Sequence, residues 1–215
     1  MKKIYFLLAF ILVFQSCEKD EISIDYFPMN IGNYWVYGHD WGVKNGVGYE
    51  YLTIDSIFIQ RDTLINGFNY YVIERAPNLF NEDWSIIDKV RDSLGYIVNY
   101  TGDIIFSSTK FSDILFTEIS LLGIDTFYVA TYQMEKPDYK IQVPAGNFRV
   151  LNYKGTVKEY SHYVHPEWVE IINKVKNNYY APGIGKVQDS YLLAGGQGPP
   201  PIMHRKLLRY NIVAK

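Results

Sequence analysis

From Tyr26 to Ile212 the chain is written as short β-branched and aromatic runs, each closed by turn chemistry. Asn66-Gly67 is the sharpest case. Both residues accept positive φ, so the pair predicts a two-residue hairpin between apolar runs, with Phe68–Arg75 as the returning strand. Tyr49–Gln60 alternates, with Tyr49, Tyr51, Thr53 and Asp55 on one side, and the phase is expected to change near Ile57 at a bulge. Ser85–Asp92 and Tyr96–Tyr100 flank Ser93-Leu94-Gly95. A turn at Thr101-Gly102-Asp103 leads into Ile104–Ser107. A wider loop precedes Asp125–Gln133. Tyr139–Val143 runs into a tight turn at Pro144-Ala145-Gly146-Asn147, and Phe148–Glu159 returns. Lys186–Leu193 and Lys206–Ile212 complete the set.

Composition agrees. The chain holds 24 Ile and 16 Val against 7 Ala, and 17% of it is aromatic. β-branched and aromatic side chains suit a pleated surface, whereas Ala is the strongest helix former. Repeated helical crossovers of the kind a parallel sheet needs are missing. Two stretches, 111–122 and 167–176, fit either a short helix or a bulged strand. In the first, Phe111, Ile114, Leu115 and Ile119 share a helical face. In the second, Trp168, Ile171, Ile172 and Val175 do so. About nine or ten strands then predict an all-β domain over 26–215, one antiparallel, strongly curved sheet or partial barrel, with at most one or two short helices.

The first residues read as an address. Lys2 and Lys3 precede 11 apolar residues, Ile4–Phe14, and then Gln15, Ser16 and Cys17. A basic head, a short apolar run and a small residue before the cut make residues 1–16 a signal peptide. The run is too short to span a bilayer as a helix, which takes about 20 residues. The segment resembles a bacterial lipobox, which implies that Cys17, the single cysteine, is acylated. Multiple acyl chains anchor a domain stably without a spanning segment. Residues 17–25 would be the lipidated tether. Lys19, Asp20 and Glu21 resemble the Lys-acidic-acidic signal that sends some lipoproteins to the outer face of the outer membrane. That implies surface display rather than the periplasmic leaflet.

Charge excludes other partners. With 21 basic and 23 acidic residues the net charge is −2, so neither a strongly basic nucleic-acid binder nor an acidic disordered tail is indicated. Cleavage before Cys17 removes Lys2 and Lys3, so membrane attachment rests on the lipid.

Three segments carry a wider likeness. They are Tyr26–Tyr37, with Pro28, Gly32, Asn33, Trp35 and Tyr37; Val143–Phe148, with Pro144, Gly146 and Phe148; and Tyr179–Val187, with Tyr180, Gly183 and Gly185. Their order and spacing resemble a group of Gram-negative exported lipoproteins of unassigned function, similar to the TapB-like lipoproteins. The resemblance implies a curved all-β domain, LolA-like in general shape, and no activity. Read physically, the same residues are turn, strand-bend and core chemistry.

Catalytic and metal motifs were sought along the chain. Gly195-Gly196-Gln197-Gly198 runs into three prolines instead of a helix, so it reads as a stiff loop rather than a phosphate cradle. His162 and His165 fall on opposite faces of a strand, which makes a poor metal pair; His39 and His204 are isolated. Asn81-Glu82-Asp83 lacks the spaced oxygens of a calcium loop. The chain has no Gly-x-Ser-x-Gly elbow, and no carboxylate pair stands out. No cofactor is expected. The expectation is a non-enzymatic outer-membrane lipoprotein acting as a binding or structural module. The rivals are a carrier of a hydrophobic ligand in a half-barrel, and a glycan-binding module or carbohydrate-active enzyme. The tyrosine excess (Tyr34, Tyr37, Tyr49, Tyr51, Tyr70, Tyr71, Tyr96 and Tyr100, beside Trp35 and Trp41) fits a core, a sugar platform or a protein-binding face.

Overall fold

The computed structural model describes residues 25–40, 53–78, 82–159, 174–192 and 202–214. The signal segment, Cys17, the Lys19-Asp20-Glu21 run, Trp41, Tyr49, Tyr51, the His162/His165 pair and the Gly195–Pro201 loop lie outside these residues.

Twelve strands form one sheet: β1 (Tyr34–Asp40), β2 (Ile54–Ile65), β3 (Phe68–Arg75), β4 (Ser85–Ser93), β5 (Tyr96–Asn99), β6 (Ile104–Ser107), β7 (Ile114–Leu122), β8 (Asp125–Val143), β9 (Gly146–Glu159), β10 (Val175–Ala181), β11 (Gly185–Leu192) and β12 (Ile202–Asn211). Every pairing is antiparallel. The order is β6-β5-β4-β3-β2-β1-β12-β11-β10-β9-β8-β7. The sheet is therefore two six-stranded meanders joined where β1 pairs with β12.

It curls until it is nearly a closed barrel. Strand β6, at one edge, reaches across to the other meander. The Tyr153 hydroxyl of β9 donates to the Ile104 carbonyl at 3.1 Å, and the Phe106 ring lies 4.6 Å from that of Tyr180. Tyr26 and Phe27 add further rings to this contact.

Alternation decides which side chains face inward. Along β2, Asp55, Ile57 and Ile59 are buried while their neighbours are not. The phase continues through Ile57 and changes only beyond Ile59, where the register against β3 shifts. The bulge expected at Ile57 thus sits further along. Interior residues include Ile59, Met134 and Leu207, each at or below 1% exposure. Burying a side chain of this size contributes roughly 1.5–3 kcal/mol.

The turns follow their residue types. Asn66 and Gly67 have φ of 50° and 81°, as a two-residue hairpin of the I′ type requires.

Two expectations need correction, and one open choice is decided. The stretch 111–122 is the bulged strand rather than the helix, so the wide loop before Asp125 is mostly strand. Ile114–Leu122 is β7, hairpinned onto β8. Register shifts at Ile114/Phe116 and Ser120/Leu121 break the two-residue period, and a strand bulged in this way imitates helical spacing. In the second ambiguous stretch, Val175 and Lys176 open β10, and 167–173 lie outside the described residues. Finally, Tyr139–Val143 is not a separate strand. Strand β8 runs 19 residues to Val143, crossing Pro137 where the register shifts between Glu135 and Tyr139. A bulge is where a sheet tolerates proline.

Candidate functional site

The three sequence motifs meet at one place. Trp35 and Tyr37 of β1 share a core cluster with Val143, Val150, Ala181, Val187 and Leu207, and Phe148, Ala145 and Ile184 pack against it. The Trp35 indole N–H donates to the Ile184 carbonyl at 2.7 Å. The Tyr37 hydroxyl donates to the Lys186 carbonyl at 2.8 Å. Asn33 is fully buried; its amide donates to the Pro28 carbonyl and its side-chain oxygen accepts from the Val213 N–H. Gly32 donates its N–H to the Ile59 carbonyl, and Gly183 donates to that of Asp25. Gly146 turns the chain between β8 and β9, with the Phe148 ring over it. Tyr180 lies buried between the rings of Phe27 and Phe106. These residues build the barrel wall and leave no side chain over for chemistry.

Beside this cluster the barrel holds a half-open cavity of about 300 Å³, lined by Trp35, Ile57, Ile59, Ile73, Phe116 and Tyr132 among others. A second chamber of about 490 Å³ adjoins it. Tyr132, Asn178 and Arg205 line both, so the two are neighbours across these three side chains. The first chamber is walled mainly by hydrocarbon. The second is walled by charge: His39, Asp55, Arg75, Lys176, Asp189 and Arg205, with Tyr191.

Each charge is set by strand phase. Asp55 continues the inward row of Ile57 and Ile59. Asp189 lies between Val187 and Tyr191, and Arg205 between Met203 and Leu207. The Arg205 fork is fully committed: Nε and Nη2 donate to the two Asp189 oxygens and Nη1 donates to Asp55 at 3.2 Å. Asp55 also receives the Asn78 amide, and His39 Nε2 lies 2.9 Å from it. His39 Nδ1 is 2.7 Å from the Tyr191 hydroxyl. Lys186 contacts Asp189 at 3.3 Å. At the β7–β8 side, Glu118 accepts from Tyr128, Tyr132 and Lys176 at 2.5–2.7 Å.

The electrostatics follow. Burial opposes the charge on Asp55, but His39, Arg75 and Arg205 overcome it and hold the carboxyl well below its usual range. Burial likewise opposes Asp189, and Arg205 and Lys186 overcome it. For Glu118 the hydrogen bonds from Lys176 and Tyr132 do the same. Asp88 differs. It lines the apolar chamber, and burial, with help from Asp103, pushes its carboxyl up. Among the described residues no three His, Cys, Asp or Glu side chains group as metal ligands.

On the outer face, the rings of Tyr34, Phe58 and Trp84 form a short ladder, with centroids 5.5–5.9 Å apart. Neighbouring planes are inclined by 38° and 55°, so the rings do not share the flat face that a sugar would stack on.

Sequence reading missed the interior charges. Asp55 was placed on a strand face but given no role, and His39 was read as isolated. The signal was present as a charged residue in phase with a strand's apolar row.

An exported-protein candidate from Bacteroides fragilis NCTC 9343, described as YmcC-like in fold, superposes with a TM-score of 0.51 at 11% identity, covering 87% of this chain and 99% of that one. The fold is YmcC-like. A candidate lipoprotein from Parabacteroides distasonis ATCC 8503 superposes with a TM-score of 0.45 at 12% identity, over the same shares of the two chains. No family model and no curated protein sequence matches the chain. The YmcC-like barrel is thus the level at which likeness speaks, and the interior must be read from its own residues.

Proposed function

We propose that the protein is an exported, lipid-anchored binding module of the outer membrane, without a catalytic step, that takes a ligand with an apolar body and a polar end into its barrel. One observation carries this reading: the hydrocarbon-walled chamber of about 300 Å³ that lies against a charged one. Small-molecule sites are typically concave, mostly apolar and about 300–1,000 Å³, with a few placed polar groups. A scaffold has no need of such a space.

The rest of the reading draws on other support. Anchoring rests on Cys17 behind Ile4–Phe14, and export is also the description given to the Bacteroides fragilis protein of like fold. Display at the cell surface rests on Lys19-Asp20-Glu21. The absence of catalysis rests on the interior charges. A general acid or base works best with a pKa near the operating pH. Asp55, Glu118 and Asp189 are instead pushed down, away from neutrality, by fixed partners, and among the described carboxylates Asp88 alone is pushed up, in the apolar chamber. That is the pattern of a structural ion network lining a binding space.

The test is mass spectrometry of lipid-extracted material that copurifies with the protein. Expected is a stoichiometric amphiphile, lost when Ile59→Trp fills the apolar chamber. A preparation free of any amphiphile, in wild type as in the variant, would return the protein to the role of a scaffold.

A further inference from the structure

The charged chamber holds one cation more than its carboxylates consume. Arg205 spends its whole fork on Asp189 and Asp55. Lys186 sits against Asp189, and Lys176 donates to Glu118 and Tyr128. With Arg75, the residues that line the chamber set three cations (Arg75, Lys176 and Arg205) against two carboxylates (Asp55 and Asp189). Arg75 is the odd one. Its Nε is 3.7 Å from Asp55 Oδ2, beyond hydrogen-bond reach, and it is buried with no acceptor among the described residues. Asp55 is already occupied by His39, Asn78 and Arg205. A buried donor left without an acceptor costs about 1–3 kcal/mol. The Arg75 side chain as a whole is 32% exposed, and an arginine fork so placed at a cavity wall is matched by a planar or tetrahedral oxyanion, which it grips with two parallel hydrogen bonds.

We propose that the charged chamber is an acid-head subsite, in which Arg75 binds the singly charged carboxylate or phosphate end of a chain-bearing ligand. This rests on the binding reading above and gives it a ligand class. The ligand's apolar body occupies the chamber of Trp35, Ile57 and Ile73, and its head passes Tyr132, Asn178 and Arg205 to reach Arg75. One negative charge brings the chamber to balance. A second would meet Asp55 and Asp189 without a cation to offset it. A neutral head would leave the Arg75 donor unsatisfied.

The experiment uses the full lipoprotein in nanodiscs and three photoactivatable probes with one diazirine-bearing C16 chain, ending in carboxylate, methyl phosphodiester (singly charged at pH 7) or alcohol. Crosslinked peptides are mapped by mass spectrometry, counting those from β2, β3 and β8. For wild type at pH 7, labelling by at least one acidic probe should exceed labelling by the alcohol by about tenfold, the scale of one charge-assisted hydrogen bond. Whichever acid is favoured names the source of the head. Arg75→Gln should remove the preference while alcohol labelling stays, which also shows that the barrel is intact. Arg75→Lys should restore part of it. Equal labelling by all three probes overturns the acid subsite and leaves the binding reading standing. A preference that survives Arg75→Gln also overturns it. Absence of interior labelling by every probe overturns both.

Discussion

The ring of Tyr132 lies across Gly155, its partner on the neighbouring strand. A Cβ on Gly155 would come within 2.7 Å of the ring. The glycine gives the ring its place, and the ring in turn covers the backbone that glycine leaves bare. From there the Tyr132 hydroxyl reaches Glu118 and the ring edge lines both chambers. Gly155→Ala should therefore displace Tyr132 and cost about 1–3 kcal/mol, as overpacking does. Urea unfolding measures it. A loss near zero would mean that the ring moves freely and does not shape the cavity.

Arg205 and Asp189 form a two-point charge pair in the chamber wall. Asp189→Ala leaves the guanidinium with Asp55 as its remaining carboxylate. Stranding a buried charge costs about 3–5 kcal/mol. Replacing both members, with Asp189→Leu and Arg205→Met, should recover most of that loss. A double variant as weak as the single one would argue that the pair itself, rather than its desolvation, carries the stability.

Acid should loosen the barrel through the same carboxylates. Asp55, Asp189 and Glu118 have folded pKa values below their unfolded ones. The unfolded chain therefore binds protons first as pH falls. The stability they contribute is complete at neutral pH, begins to go below about pH 5 and is lost as pH drops through the depressed folded values. Melting temperature followed from pH 7 to pH 2 should fall steadily. With Asp55→Asn the slope should flatten.

Asp88 should respond with the opposite sign. Its folded pKa is raised, so its ionised form weakens the fold above that value and the penalty vanishes below the unfolded carboxylate pKa, about 3.9. Asp88→Asn keeps an acceptor for the Lys89 N–H and should raise the melting temperature at pH 7, with no gain at pH 3. Equal effects at both values would assign the change to packing.

The hairpins were the legible part of this chain. Asn66-Gly67, Leu94-Gly95 and Pro144–Gly146 announce their turns because positive φ or a fixed φ can be supplied by few residue types. Strands between them follow by alternation. Strand β7 hid because two register shifts put Phe111, Ile114, Leu115 and Ile119 on a false helical face. The site was less legible. Asp55, Asp189 and Arg205 sit on β2, β11 and β12, as much as 150 residues apart, and periodicity says only that each faces inward. Asp189 and Arg205 are direct partners across β11 and β12, but that Asp55 faces Arg205 depends on β1 pairing with β12, a long-range register that local patterns do not encode.

That pairing has a consequence for how the molecule is made. Each meander can zip up from neighbouring hairpins, but the first has no mate along β1 until β12 docks. Asp55 belongs to the early half and Arg205 to the late one, so the contact between them is the latch that fastens the two. A chain cut before Ile202 would leave Asp55 without its guanidinium partner and β1 with an open edge, the kind of edge on which chains pair with one another.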